Sequence, residues 1–182
     1  MAICLFENFS ISTLFPLTHL QPDFDLRCGV FTGRERVQKY FAGEELVLYT
    51  RMGLVDAMKE RSGLSVNTGG TADLYIAGTT LLLPPLAHAI REFRGKDMLF
   101  ASGDVLLAAS AVSDGLREKV QHWLKTALLR EELSSSSHRR PDLADFETPV
   151  TQVEGVMLRY PWDLIEHNGS MIGADAEFFI QG

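Results

Sequence analysis

Short apolar runs alternate with stretches of helical spacing along most of this chain, and that alternation constrains its fold more than any other feature. The first run, Ala2–Phe6, is apolar throughout and suits a strand buried on both faces of a parallel sheet. Residues 7–25 carry Pro16 and Pro22 with few periodic apolar positions and read as loop. Gly29–Thr32 reads as a short extended piece. Val37, Tyr40 and Phe41 then fall at i, i+3 and i+4, which predicts a helix over Arg34–Phe41 with Gly43 as its stop. A second strand over Leu46–Thr50 and a second helix over Leu54–Arg61 follow, then a short strand at Leu64–Val66, a turn at Asn67–Thr71 and a strand at Leu74–Ala77. Pro84 opens a helix that runs to Phe93. Met98–Ala101 and Val105–Ala109 read as a hairpin. Ser113 caps a long helix over Asp114–Leu133 with Leu116, Val120, Trp123, Leu124 and Leu128 on one side. Residues 134–141 are Ser-rich and end in proline, which predicts a surface loop. Gln152–Leu158 is a late strand, and Pro161 starts a final helix.

Strands alternating with helices predict an α/β fold with a mainly parallel sheet covered on both faces, and the hairpin adds an antiparallel part. A chain of 182 residues fits one such domain.

Charge narrows the function classes. Seventeen basic against 24 acidic residues leave a net charge of −7, which argues against sequence-independent nucleic-acid binding. No apolar stretch approaches the ~20 residues of a membrane span, and Ala2–Phe6 has no basic residue before it, so neither a membrane anchor nor a secretory signal is expected. Cys4 and Cys28 read as two reduced thiols, and the expected location is cytoplasmic. Five histidines, at 19, 88, 122, 138 and 167, show no metal spacing.

In an open α/β sheet, ligands bind beyond the carboxyl ends of the strands. The loop after the first strand is therefore the first place to look for chemistry. Phosphate-cradling loops use glycines so that backbone N–H groups can approach the anion. Glu7–Thr13 contains no glycine, so an ordinary structural loop accounts for it as well as a weak phosphate site does. Arg27 is the best single candidate, a fixed charge with a bidentate fork. Two readings stay open for it: an anion contact, or a pair with Asp23 or Asp25. Arg34 and Arg36 at a helix start also suit a solvated helix face. Asn67–Thr71 is polar and glycine-bearing and could approach a base or sugar, as many surface turns could. Gly78-Thr79 follows the third clear strand, and threonine does not replace a carboxylate as a strong Mg²⁺ ligand. Asp104 fits a turn position.

At both ends the sequence resembles the sugar nucleotidyltransferases related to the bacterial N-acetylglucosamine-1-phosphate uridyltransferase/acetyltransferase. The front carries Leu5-Phe6, Leu14-x-Pro16-Leu17-Thr18, Pro22, Leu26-Arg27-x-Gly29 and Thr32-x-Arg34-Glu35. The back carries Tyr160-Pro-Trp-Asp-Leu-Ile-x-x-Asn168, followed by Ile172 and Asp175. The resemblance implies a three-layer α/β/α, Rossmann-type nucleotidyltransferase-like domain over residues 1–182. It implies a reaction joining a sugar 1-phosphate to a nucleoside triphosphate with Mg²⁺, and UDP-N-acetylglucosamine as product. Arg27 is then the catalytic cation, and Thr18, Gly29, Arg34, Asn67, Asp163 and Asn168 are substrate-binding positions. Asp163 and Asn168 could instead cap the last helix or hold the loop of residue 27. The metal ligands are not identified. A hexapeptide-repeat acyltransferase commonly follows such a domain, and a homo-oligomer is expected. The chain departs from the pattern where a glycine-rich basic segment (here Phe9–Phe15), a lysine (here Asp23) and a strand-end acid (here Thr79) would stand. Those departures suit the alternative of a catalytically degenerate structural or regulatory domain attached to an acyltransferase.

Overall fold

The computed structural model describes residues 2–7, 11–68, 72–132 and 143–180. The predicted loop at 134–141, the first two residues of Phe9–Phe15 and the glycines of the Asn67–Thr71 turn lie outside the described residues.

Seven strands form one sheet in the order β3-β2-β1-β4-β7-β6-β8. They are β1 (Ala2–Phe6), β2 (Glu45–Tyr49), β3 (Ser65–Val66), β4 (Leu74–Ala77), β6 (Met98–Ser102), β7 (Val105–Ser110) and β8 (Val150–Gln152). The pairs β1–β2, β1–β4, β2–β3 and β6–β8 are parallel, while β7 runs antiparallel to both β4 and β6. The sheet is therefore mixed and mainly parallel, with the predicted hairpin supplying the one reversed strand. A small second sheet pairs β5 (Thr80–Leu81) with β9 (Val156–Met157).

Among the described residues four helices cover the strands, α1 (Gly33–Tyr40), α2 (Val55–Ser62), α3 (Pro84–Glu92) and α4 (Asp114–Glu132), and a further helix, α5 (Asp163–Ile180), ends the described chain. Strand β1 shows why there are three layers. Its side chains alternate, and both sets are buried. Ile3 and Leu5 pack with Val37 of α1 and Phe41 just after it, Val55 and Met58 of α2, and Leu86 and Ile90 of α3. Cys4 and Phe6 pack on the other face with Leu116, Val120 and Leu124 of α4.

The late strand departs from the sequence expectation. Gln152–Leu158 is broken into β8 and β9, which join different sheets. The break includes Gly155, where a Cβ would collide with the Leu107 side chain of β7. The backbone there runs against a core leucine and cannot keep the ladder of one sheet.

Helix α5 stands outside the three layers. Met171 and Leu164 on it join Leu14, Leu26, Cys28, Leu81 and Leu158 in a separate apolar cluster. It covers the loop between β1 and α1 rather than a face of the main sheet.

Candidate functional site

The parallel strands β1, β2 and β4 end side by side, and the segments leaving them are locked together. Gly78 N–H donates to the carbonyl of Phe6 at 2.7 Å, and Glu7 N–H donates to the carbonyl of Tyr49 at 2.8 Å. Glu7, one residue past β1, has a fully buried carboxylate. It accepts the Thr50 hydroxyl at 2.6 Å and the Arg51 N–H at 2.9 Å, and pairs with the Arg51 guanidinium. Burial pushes the pKa of its carboxyl up, while the bonds from Thr50 and Arg51 and the Arg51 charge oppose that rise. The same guanidinium donates to the carbonyls of Thr18 and His19. Glu7 and Arg51 thus staple the 18–19 segment to the strand ends.

Asn67, at the end of β3, sits at φ +52°. Its amide makes a closed pair with Thr50: Oδ1 accepts the N–H at 2.8 Å, and Nδ2 donates to the carbonyl at 2.7 Å. Asp23 is buried beneath Gly78, at the end of β4, so close that a Cβ on residue 78 would overlap its carboxylate. A glycine is required there because the loop carboxylate occupies the space of a side chain.

The loop Leu26–Thr32 carries two of the nominated residues, Arg27 and Gly29. Arg27 and Thr32 bridge its base, and Gly29 turns it at φ +81°. Its inner rim is anchored to α5. Gly29 N–H donates to Oδ1 of Asn168 at 2.8 Å. One oxygen of Asp175 accepts N–H bonds from Val30 at 2.8 Å and Phe31 at 3.3 Å. Arg36 donates to both Asp175 oxygens, at 3.0 Å from Nε and 2.8 Å from Nη2, and from Nη2 to the carbonyl of Cys28 at 2.6 Å. Both side chains of the Arg36–Asp175 pair are 1% exposed. A Cβ at position 29 would lie 2.5 Å from Asp175 and 2.8 Å from Met171, so the loop touches the helix backbone to backbone.

This anchoring leaves Arg27 outside. Its side chain is 57% exposed, donates to the carbonyl of Val30 and sits 3.5 Å from Glu35. Neither Asp23 nor Asp25 is its partner. Asp25 pairs instead with Arg34, at 2.7 Å from Nε. Glu35 closes a capping box with Thr32 at the start of α1, which keeps its carboxyl below the usual range. Asp163 accepts the N–H groups of Arg159 and Tyr160, at 2.6 and 2.9 Å, and caps the turn into α5.

The structure therefore brings Arg27 and Gly29 together on one loop, with Asn168 bonded to it from α5, while Arg34 stands on α1 paired with Asp25. Thr18 and Asn67 lie at the strand ends, bonded to Arg51 and Thr50. Asp163 lies at the start of α5. Arg36 corrects its reading as part of a solvated helix face, because it is among the most deeply buried side chains. Asp175 held the signal for this. It falls on the inward stripe of α5 with Leu164, Met171 and Phe178, and an acid there needs a buried cation. Glu7 and Arg51 carried no comparable signal, since either alone suits a solvated loop.

A resident Mg²⁺ finds few donors here. Among the described residues there is no group of three or more His, Cys, Asp or Glu that could hold a metal. Glu7 and Asp175 are matched by arginines, Asp25 pairs with Arg34 through one oxygen while its other, buried oxygen stands alone and too few donors surround it, and Asp23 is packed under Gly78. These residues do not fit a protein-held Mg²⁺. Both thiols are buried and unpaired with each other, and burial pushes that of Cys4 up to about 12. Among the described residues no helix is long and apolar enough to cross a membrane.

A family model described as sugar nucleotidyl transferase matches residues 3–182. No curated protein matches the chain. Among solved structures, a protein assigned as a glucose-1-phosphate thymidylyltransferase from Bacillus anthracis, in complex with sucrose, aligns with a TM-score of 0.51 at 12% identity. The alignment covers 94% of each chain. At that identity the likeness establishes the α/β fold and leaves the chemistry to the residues.

Proposed function

We propose that this chain, which belongs to the sugar nucleotidyl transferase family, joins a sugar 1-phosphate to a nucleoside triphosphate and releases pyrophosphate. The observation that carries this reading is the Leu26–Thr32 loop. A buried ion pair and three N–H bonds to α5 hold it rigidly, and its one guanidinium is left facing solvent. Such rigid support suits a group that must meet a phosphate at a fixed place.

In this reading the sugar phosphate oxygen attacks the α-phosphorus of the nucleotide, and the bond from that phosphorus to the pyrophosphate oxygen breaks. Arg27 faces the phosphates and stabilises the charge that grows on them, releasing Glu35 as it does so. Asn67, fixed by Thr50, stands at the sheet end where a base or sugar edge would lie. Thr18, Gly29, Arg34, Asp163 and Asn168 act mainly by holding the loop and its neighbours in place. Mg²⁺, if carried in by the nucleotide rather than held by this chain's carboxylates, would supply neutralisation of phosphate charge beside Arg27. By resemblance the product is UDP-N-acetylglucosamine.

The second reading is a domain of the same fold without turnover. The glycine-free loop after β1 favours it, as does the absence, among the described residues, of a His, Cys, Asp or Glu cluster that could hold a metal. The test is pyrophosphate release from a panel of nucleoside triphosphates and sugar 1-phosphates with Mg²⁺, led by UTP with N-acetylglucosamine 1-phosphate. Turnover that falls by about 10²–10³ in Arg27→Ala supports the enzyme. Nucleotide binding by calorimetry without any turnover supports the second reading.

A further inference from the structure

Helix α5 buries one side against the Leu26–Thr32 loop and turns an apolar side to solvent. Trp162, Ile165, Ile172, Phe179 and Ile180 are 60, 81, 46, 62 and 80% exposed. With Gly169 and Ala176 they fall within an arc of about 120° at helical spacing. Trp162, the turn residue just before α5, continues the heptad position of Gly169 and Ala176, and Ile165, Ile172 and Phe179 occupy the other along the helix. This is the seam of a two-helix coil, and it lacks its second helix. Glu166, Ser170 and Glu177 lie on the flank, so no carboxylate enters the seam.

We propose that a second copy of this chain covers α5, with the two α5 helices packed antiparallel about a two-fold axis. The order of large and small residues selects that partner. In an antiparallel pair the first heptad position of one helix faces the second position of the other. Centred between residues 169 and 172, the seam sets Ile172 over Gly169 of the other copy, Ile165 over Ala176, and Trp162 beside Phe179. Each isoleucine meets a small residue, and the aromatics meet at the two ends. A Cβ added at Gly169 or Gly173 would touch nothing within 4 Å, so the notch that receives Ile172 is open. Such a patch is complementary to itself, as an isologous interface requires.

Size agrees with this. The five exposed side chains present on the order of 700 Å² of accessible surface per copy, against ~800 Å² per partner in a standard interface. The patch exceeds what a monomer usually leaves uncovered. Its rim is already stiff. Phe31 stacks on Phe179 at 5.8 Å, and the exposed Val30 beside it is tied to Asp175.

Sedimentation velocity on the full chain from 1 to 200 μM tests the proposal, with circular dichroism as the control for folding. The expected result is a species of twice 20.3 kDa. Ile172→Glu should raise the dissociation constant at least ~100-fold with unchanged helicity, since the substituted side chain is solvent-exposed in the single copy. Gly169→Leu fills the notch and should also yield monomer, while it raises the melting temperature of the single chain by removing a helix glycine. A monomer at all concentrations overturns the proposal, as does a dimer that survives both substitutions. A dimer lost with Ile172→Glu but kept with Gly169→Leu overturns the antiparallel register.

Discussion

Replacing Asp175 by Asn tests whether charge or packing holds the Leu26–Thr32 loop. The side chain keeps its shape, so packing against Met171 and Gly29 is preserved. What disappears is the charge opposite Arg36, a guanidinium that is 1% exposed and has no water to turn to. Breaking a buried ion pair from one side costs about 3–5 kcal/mol, because the remaining charge is buried and uncompensated. Asparagine also has one acceptor oxygen where the carboxylate used two: one for Val30, Phe31 and Nη2 of Arg36, the other for Nε. For a chain of this size each kcal/mol lowers the melting temperature by roughly 2–4 °C, so a fall of about 10 °C is expected. Urea unfolding, read as a shift in midpoint at constant slope, gives the free energy directly. The double variant Arg36→Met with Asp175→Leu should recover part of the loss: an apolar pair leaves no buried charge, but the N–H groups of Val30 and Phe31 and the Cys28 carbonyl lose their partners. A loss below about 1 kcal/mol for Asp175→Asn, or a double variant less stable than the single, would show that the charge reasoning is wrong.

Gly29→Ala should destabilise by about 2–4 kcal/mol in the same urea assay, because the new methyl meets Asp175 at 2.5 Å and a backbone at φ +81°. Arg27→Ala should leave the melting temperature within about 1 °C while lowering activity, since the side chain is exposed and its pair with Glu35 is at the surface. Glu7→Gln should destabilise by removing the partner of Arg51 and should free the 18–19 segment, visible as faster amide exchange there. Cys4 and Cys28 should resist a thiol reagent at pH 8 until the chain unfolds. The native Cys4 thiol keeps its proton up to about pH 12, whereas the unfolded one loses it near 9.0. The unfolded state thus binds fewer protons in that window, and stability from Cys4 falls as pH rises from 9.0 toward 12. Cys4→Ala should make the stability profile flatter there.

Much of the fold was legible because it rests on local periodicity. Ala2–Phe6 is apolar on both faces and became the centre of a parallel sheet, and the hairpin around Gly103 became its reversed strand. The break at Gly155 was hidden, since it depends on Leu107 approaching from β7. The site was legible in composition and hidden in connection. Arg27 and Gly29 could be nominated from the sequence, and so could Asn168 as a possible holder of their loop. That Arg36 would be buried depends on Asp175, 139 residues later. Pairing Glu7 with Arg51 needs β1 and β2 in register, which places Phe6 beside Tyr49. Apart from the acid on the inward stripe of α5, contacts between segments distant in the chain leave no mark on spacing, and these hold the site together.

The most direct measurement is exchange of labelled pyrophosphate into the nucleoside triphosphate. The chain is incubated with a nucleoside diphosphate sugar, beginning with UDP-N-acetylglucosamine, and with labelled pyrophosphate and Mg²⁺. The account predicts label in the triphosphate, with an exchange rate that collapses in Arg27→Ala while the protein stays folded. No label in the triphosphate from any nucleotide sugar of the panel would contradict it.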